Sequence, residues 1–464
     1  MKKFKIFISF LLASSVCLLS SCSVPSYDGF QFPPFKQSEL KPAADGAFVI
    51  QRDYKDVSPV AEKTVKTVVS ADGLCRIEKK ASYYDVILDY EKGSPAQIGN
   101  AYAEVIQDIC SDYGKIIDEY IFEMTGNLTN EDISDTLAYG AMILKNSLDK
   151  KYQEELDAYA QKISGGLHGV KADGKMSYEE AVIMNMVPDL LRATACSTIT
   201  ANGNKTQNGS RISARLLEWS PGSERQLADF HSVVHFKNGR NSITTIGLLG
   251  MFDVLTVINS NGVMFGILDV GSKYDEPLTV DGKTCYSYDI RKAAESCTTA
   301  KQAAEYLCNN AKTYTYNANF FITDNKDAYC VESAITEKDG SPVIRDGNTK
   351  LLDGLKWSDP DILCVVNSFV TSGNSDKITD DPTNLVRWLK YDQLFSQEKD
   401  KISLDRFKAL LTSEKTVDSN LINFRSSYLI HMVVLDYDTK KAQAVFAGAE
   451  VTDDCEWVDL GSMF

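Results

Sequence analysis

The stretch Cys196-Ser-Thr-Ile-Thr-Ala-Asn202, followed by Arg211-Ile-Ser-Ala-Arg-Leu-Leu-Glu-Trp219, decides how the chain is read. The first run alternates like a strand and ends on Asn202-Gly203, with Asn208-Gly209 just beyond. The second run therefore reads as the returning arm of a hairpin. Pairing the arms brings Arg215 and Glu218 back to Cys196. A thiol with a cation and a carboxylate beside it has the parts of an activated nucleophile. A lone cysteine is more often an inert buried hydrophobe, and an exposed Arg–Glu pair is worth under about 1 kcal/mol. Local chemistry alone leaves both readings open.

Downstream the pattern is strand-rich. His231-Ser-Val-Val-His235-Phe and Ser242-Ile-Thr-Thr-Ile-Gly-Leu-Leu alternate around Asn238-Gly239, and Asn261-Gly262 joins two further apolar runs, a strong hairpin signal. Strands are also expected at Asn319–Asp324, Ala328–Ser333, Ile362–Ser368, Tyr428–Asp436 and Lys441–Ala447. Helical spacing appears over Ile290–Cys297, Lys301–Asn309, Leu385–Phe395 and Leu404–Leu411.

Upstream the chain is mostly helical. Tyr83–Asp89 reads as a strand, and from Pro95 apolar residues recur at helical spacing through Met124. Two further helices are expected over Leu137–Leu148 and Tyr152–Ile163, before a break at Gly165-Gly166 and Gly169. Ser177-Tyr-Glu-Glu180 has capping-box spacing and starts another helix. A helical first part and a strand-rich second part make the fold class α+β, with sheets flanked by helices.

The N-terminus has its own logic. Met1-Lys-Lys-Phe-Lys5, an apolar run from Ile6 to Leu19, and Leu19-Ser-Ser-Cys22 fit a bacterial lipoprotein signal with Cys22 as the lipidated residue. Proline-rich residues up to Pro42 read as a tether. The expected organisation is a signal over 1–21, a tether over 22–42, a helical segment over 43–195 and a strand-rich segment over 196–464, exported and anchored at the cell envelope. With one cysteine lipidated and one kept as nucleophile, up to eight remain for disulfides in an oxidising compartment, in no pattern that assigns pairs. The net charge of −15 argues against a nucleic-acid partner.

Here the residues reach a family. The small residues leading into Cys196-Ser-Thr-Ile, Arg215-Leu-Leu-Glu218-Trp, the Asn261-Gly262 hairpin and Val365-Val-Asn367-Ser-Phe together resemble the N-terminal-nucleophile (Ntn) hydrolases. The nearest branch is similar to the autoproteolytic acyltransferases and hydrolases of penicillin-type amides, with acid ceramidase and the choloylglycine (bile-salt) hydrolases more distant. The resemblance implies a four-layer αββα sandwich with a helical pro-segment. It also implies a precursor cut between Ala195 and Cys196 into fragments that stay associated, and no cofactor.

The same resemblance supplies roles. The Cys196 thiol would attack a carbonyl while its freed α-amine acts as base; an α-amine titrates near 7.7–8.0, close to working pH. Arg215 would sit beside sulfur and the scissile carbonyl. Glu218 stands where aspartate usually orients the amine, Asn367 would donate to the oxyanion, and Arg387 matches a late arginine. Asp269 falls where bile-salt hydrolases carry asparagine, and a carboxylate there would repel an oxyanion. The implied activity is hydrolysis or acyl transfer on a small non-peptide amide through an acyl-thioester. The alternative is an inactive lipoprotein of the same fold that binds an acylated ligand or envelope partner. His231 and His235 share a strand face but lack a third ligand, so no metal site is expected. With His168 they are the candidates for a conventional Cys–His pair. Asn367 has an ordinary reading too, as a residue that satisfies a strand end.

Overall fold

The computed structural model describes residues 57–124, 131–191, 196–271, 280–335, 340–373, 378, 382–396, 398–412, 429–448 and 456–464. The signal, the tether, Cys22 and Ala195 lie outside the described residues. Three strands open the described chain: β1 (Lys66–Val69), β2 (Cys75–Lys79) and β3 (Tyr84–Asp89). Helices α1 (Pro95–Ile109), α2 (Tyr113–Met124), α3 (Glu131–Ser147), α4 (Lys150–Ile163), α5 (Tyr178–Met184) and α6 (Val187–Leu191) follow. Both Ser94, ahead of α1, and Ser177, ahead of α5, close full capping boxes, with Gln97 and Glu180 returning to the cap backbone.

Beyond Cys196 come β4 (Ser197–Ala201), β5 (Ile212–Glu218), β6 (His231–Lys237), β7 (Ile243–Leu248), β8 (Thr256–Asn259) and β9 (Met264–Asp269). Helices α7 (Tyr286–Ser296) and α8 (Ala300–Asn310) lead to β10 (Ala318–Thr323), β11 (Ala328–Ser333), β12 (Val343–Arg345) and β13 (Ile362–Val365). Helices α9 (Pro382–Tyr391) and α10 (Leu404–Thr412) precede β14 (Leu429–Asp436), β15 (Lys441–Phe446) and β16 (Val458–Ser462).

The strands form two sheets. The larger runs β1-β2-β3-β6-β7-β8-β9-β10-β11-β12 and the smaller β13-β4-β5-β14-β15-β16. Each ladder in both is antiparallel except β3 on β6, which is parallel. The segment before Cys196 is thus built into the large sheet by backbone pairing, as well as lying over it in helices.

Side-chain alternation assigns the faces. On β5, Ile212, Ala214 and Leu216 join Ile199, Cys364, Met432 and Val434 in a cluster with Trp388, Tyr391, Phe395 and Phe407 of the 382–412 segment. The opposite faces meet one another. Val233, Ile246, Ile258 and Met264 of the large sheet pack on Val433, Leu435, Ala442 and Ala444 of the small one. The other face of the large sheet, with Ile77, Val86, Val234 and Val257, is covered by helical residues such as Tyr102, Val105, Leu156, Ile183 and Ile290. The protein is α+β with two sheets. The eight described cysteines, Cys75, Cys110, Cys196, Cys285, Cys297, Cys308, Cys330 and Cys364, are free thiols, so the disulfides that the compartment allowed are not formed among them. No described helix is long and apolar enough to cross a membrane.

Candidate active site

The hairpin register positions the first half of the site. Ser197 pairs with Leu216 and Thr198 with Arg215, so Cys196 stands at the open end of β4 beside Leu217 and Glu218. Its thiol donates to the Glu218 carbonyl at 3.7 Å. Arg215 Nη2 donates to Cys196 Sγ at 3.2 Å and to the Ile267 carbonyl of β9 at 2.6 Å, while Nη1 donates to the Leu216 carbonyl. Arg215 is fully buried, its Nε has no partner, and no carboxylate pairs with it among the described residues. A buried cation without a carboxylate is costly unless another negative charge offsets it.

The second half comes from β13 and α9. Trp388 packs edge-on against Trp357 with ring centroids 4.6 Å apart, which seats α9 on the small sheet. One face of α9 then presents Arg387 and Tyr391, one turn apart. Tyr391 OH meets Ser197 Oγ at 2.8 Å. Arg387 Nη1 donates to the Cys196 carbonyl at 3.1 Å and to Asn367 Oδ1 at 3.3 Å, and Nη2 pairs with Glu218 Oε2 at 2.9 Å. Asn367 Nδ2 donates to the Asp269 carbonyl at 2.7 Å.

All five residues singled out in the sequence, Cys196, Arg215, Glu218, Asn367 and Arg387, therefore meet in one connected cluster. The Asp269 backbone also touches it. Glu218 is engaged with Arg387, which makes the acid part of a buried ion pair. Cys196 has no exposed surface and lines neither described cavity near it or elsewhere.

Two positioning residues escaped the sequence reading. Asn319 on β10 donates to the carbonyls of Val366 and Ser368 at 2.9 and 3.0 Å, pinning the loop that carries Asn367. An asparagine opening the apolar run Asn319-Phe-Phe-Ile was the available signal. Gly266 lies under the Arg215 side chain, where a Cβ would come within 2.8 Å of Cγ.

The histidines are occupied elsewhere. His231 Nε2 contacts the Ala447 carbonyl at 2.7 Å, and burial pushes its pKa down to about 4. His235 lies against Thr244 and Asp85, His168 against Glu179, and His431 Nε2 against Thr256 Oγ1. Burial, with Arg215 nearby, holds His431 well below its ordinary pKa. No group of described residues could hold a metal ion.

Two cavities stand near these elements. An almost closed apolar one, bounded by Tyr120, Met184, Val187, Leu217, Trp219 and Leu255, abuts the Glu218 end of β5. The other, of about 190 Å³, lies among α1, α4 and α7 around Arg291. There Arg291 spends its five donors on Glu155, Glu295, Tyr90 and the Phe252 carbonyl, so it offers nothing unmatched to a ligand.

No family model and no curated protein matches the chain. Solved structures similar to it include a Caenorhabditis elegans orthologue of N-acylethanolamine-hydrolyzing acid amidase, at 14% identity and a TM-score of 0.35, covering 52% of this chain and 92% of that one. Two mutants of conjugated bile acid hydrolase from Clostridium perfringens are similar at 13% and 14% identity and TM-scores of 0.36 and 0.34, each covering 57% of this chain and 92% of the other. These likenesses fall in the group that the sequence resembles, at an overlap too low to carry chemistry across.

Proposed function

We propose that the chain is an envelope-anchored cysteine amidohydrolase, or a related acyltransferase, acting through an acyl-thioester on Cys196 after a cut between Ala195 and Cys196. The observation that carries this reading is Arg215. Its buried guanidinium faces the Cys196 sulfur at 3.2 Å and has no described carboxylate partner, an arrangement suited to a sulfur that becomes negative. Cys196 Sγ attacks the substrate carbonyl, the amine half leaves with a proton, and water or a second amine releases the acyl group. The α-amine freed by the cut acts as the base, a role that the same nitrogen cannot fill while it is an amide. Asn367 Nδ2 serves the oxyanion after giving up the Asp269 carbonyl. Arg387 holds the Cys196 carbonyl and the Asn367 oxygen in register. The order of hydrophobic clusters, helices on sheet on sheet on helices, supports a four-layer αββα Ntn sandwich. Lipidation at Cys22 would tether it to the membrane.

A second reading is favoured by the complete burial of Cys196 and by the Glu218–Arg387 pair. On that reading the chain is an uncut, inactive lipoprotein that binds an acylated ligand. Intact mass and N-terminal sequencing of the exported protein separate the two. Two fragments in the wild type, one beginning at Cys196, with a single chain in Cys196→Ala, support the enzyme. A single chain in both sinks it.

A further inference from the structure

The connector between α4 and α5, residues 164–177, crosses the end of α2 with little apolar anchoring of its own. Gly165, Gly166, Gly169 and Gly174 all have positive φ, from 61° to 90°, so it is a chain of left-handed turns that side chains would oppose. Its backbone is held instead by carboxyl groups. Lys171 N–H donates to Glu180 Oε1 at 2.9 Å and Ser177 N–H to Glu180 Oε2 at 2.7 Å. Gly174 N–H donates to Asp118 Oδ2 at 2.7 Å, and Gly169 N–H to Glu179 Oε2 at 2.7 Å. Asp118 and Glu180, both almost fully buried, are hydrogen bonded to each other. Two carboxyl groups bond directly only when a proton lies between them.

We propose that Asp118 and Glu180 share one proton and form a pH-operated latch: protonated, it clamps the 164–177 connector onto α2 and α5, and on losing the proton it releases the connector. The release reaches α5 and α6, which lead directly towards Cys196 along the chain.

The surroundings set the direction. Burial raises Glu180 most, to about 7, with Asp118 adding to it; burial also raises Asp118, with Asp173 and Glu119 adding to it. The charged groups nearby are Lys115 and Glu119 on α2, His168, Lys171, Asp173 and Lys175 on the connector, and Glu179 on α5. Lys145 and Asp157, from α3 and α4, meet Tyr178 instead. No lysine or arginine pairs with Asp118 or Glu180 among the described residues, so no cation offsets a second negative charge. A pair whose folded-state pKa is raised stabilises the closed form below that value and loses it as pH rises through it.

Hydrogen exchange read by mass spectrometry on the full-length protein tests the latch, with rates corrected for intrinsic pH dependence. Protection of residues 169–177 should fall by roughly tenfold between about pH 6 and pH 8 in the wild type, while α1 stays unchanged. In Glu180→Gln the amide donates permanently to Asp118, and protection should become independent of pH. Asp118→Asn should do the same if Glu180→Gln fails to fold. Wild-type protection that does not change with pH, or either variant keeping the wild-type pH response, overturns the proposal.

Discussion

Gly266 and Arg215 face each other across the gap between the sheets: the guanidinium stem lies where a Cβ on Gly266 would be, within 2.8 Å of Arg215 Cγ. The glycine on β9 is thus what lets the cation from β5 lie flat and reach both sulfur and the Ile267 carbonyl. The contact is to the inner part of the side chain, which cannot swing aside without moving the guanidinium. Gly266→Ala should leave the fold intact, because the backbone there needs no left-handed conformation, yet abolish processing before Cys196. Circular dichroism and a denaturing gel of the purified variant check both halves. A normally cut variant would show that the Arg215 position is not critical.

The Glu218–Arg387 pair is buried on both sides, with side-chain exposures of 1% and 5%. Removing one member leaves the other charge unpaired in the interior, which typically costs about 3–5 kcal/mol. Arg387→Met should therefore destabilise strongly, and Glu218→Gln should do so as well. The double variant should recover part of the loss. Urea denaturation of the three variants measures the coupling, and strictly additive losses would mean that the pair contributes nothing as a pair.

Thiol accessibility gives a simple test of the closed site. Of the described cysteines only Cys110 and Cys308 carry appreciable exposed surface. Brief iodoacetamide treatment of the uncut protein should label those two and spare Cys196, while denaturation should expose all of them. Peptide mapping reads the result. Rapid labelling of Cys196 in the uncut chain would mean that the site opens without a cut.

Asp253 is buried, and burial together with the nearby Asp189 holds its carboxyl well above the ordinary carboxylate range. A raised folded-state pKa stabilises the native protein at acid pH and loses that contribution as pH climbs. Asp253→Asn, neutral at every pH, should reduce the fall in stability between about pH 5 and pH 8 seen in the wild type. Denaturant midpoints at the two pH values decide it; an unchanged slope would place the titration elsewhere.

Local patterns carried most of the fold. Alternation gave β4, β5 and β6, the Asn261-Gly262 pair gave the β8–β9 hairpin with Gly262 at φ 79°, and serine caps marked α1 and α5. The strands β1 and β2 were not singled out, since Lys66–Val69 is mostly exposed and has no apolar face to signal it. Nor was it readable that β3 joins β6 in parallel, a pairing between residues far apart in the chain. In the site, the hairpin register brought Arg215 to Cys196 because strand pairing is local. Arg387 and Asn367 came from the family resemblance alone, and their convergence depends on α9 packing by Trp388. The engagement of Glu218 with Arg387 was not foreseeable, because an ion pair between a strand and a distant helix has no sequence period.

The parallel ladder from Tyr84–Ser232 to Asp89–Lys237 stitches residues that precede Cys196 to residues that follow it. Any scission at that cysteine would consequently be a nick in one body rather than a separation into two. Such a protein would elute as a single peak in native gel filtration and divide into two bands only once its backbone hydrogen bonds were melted.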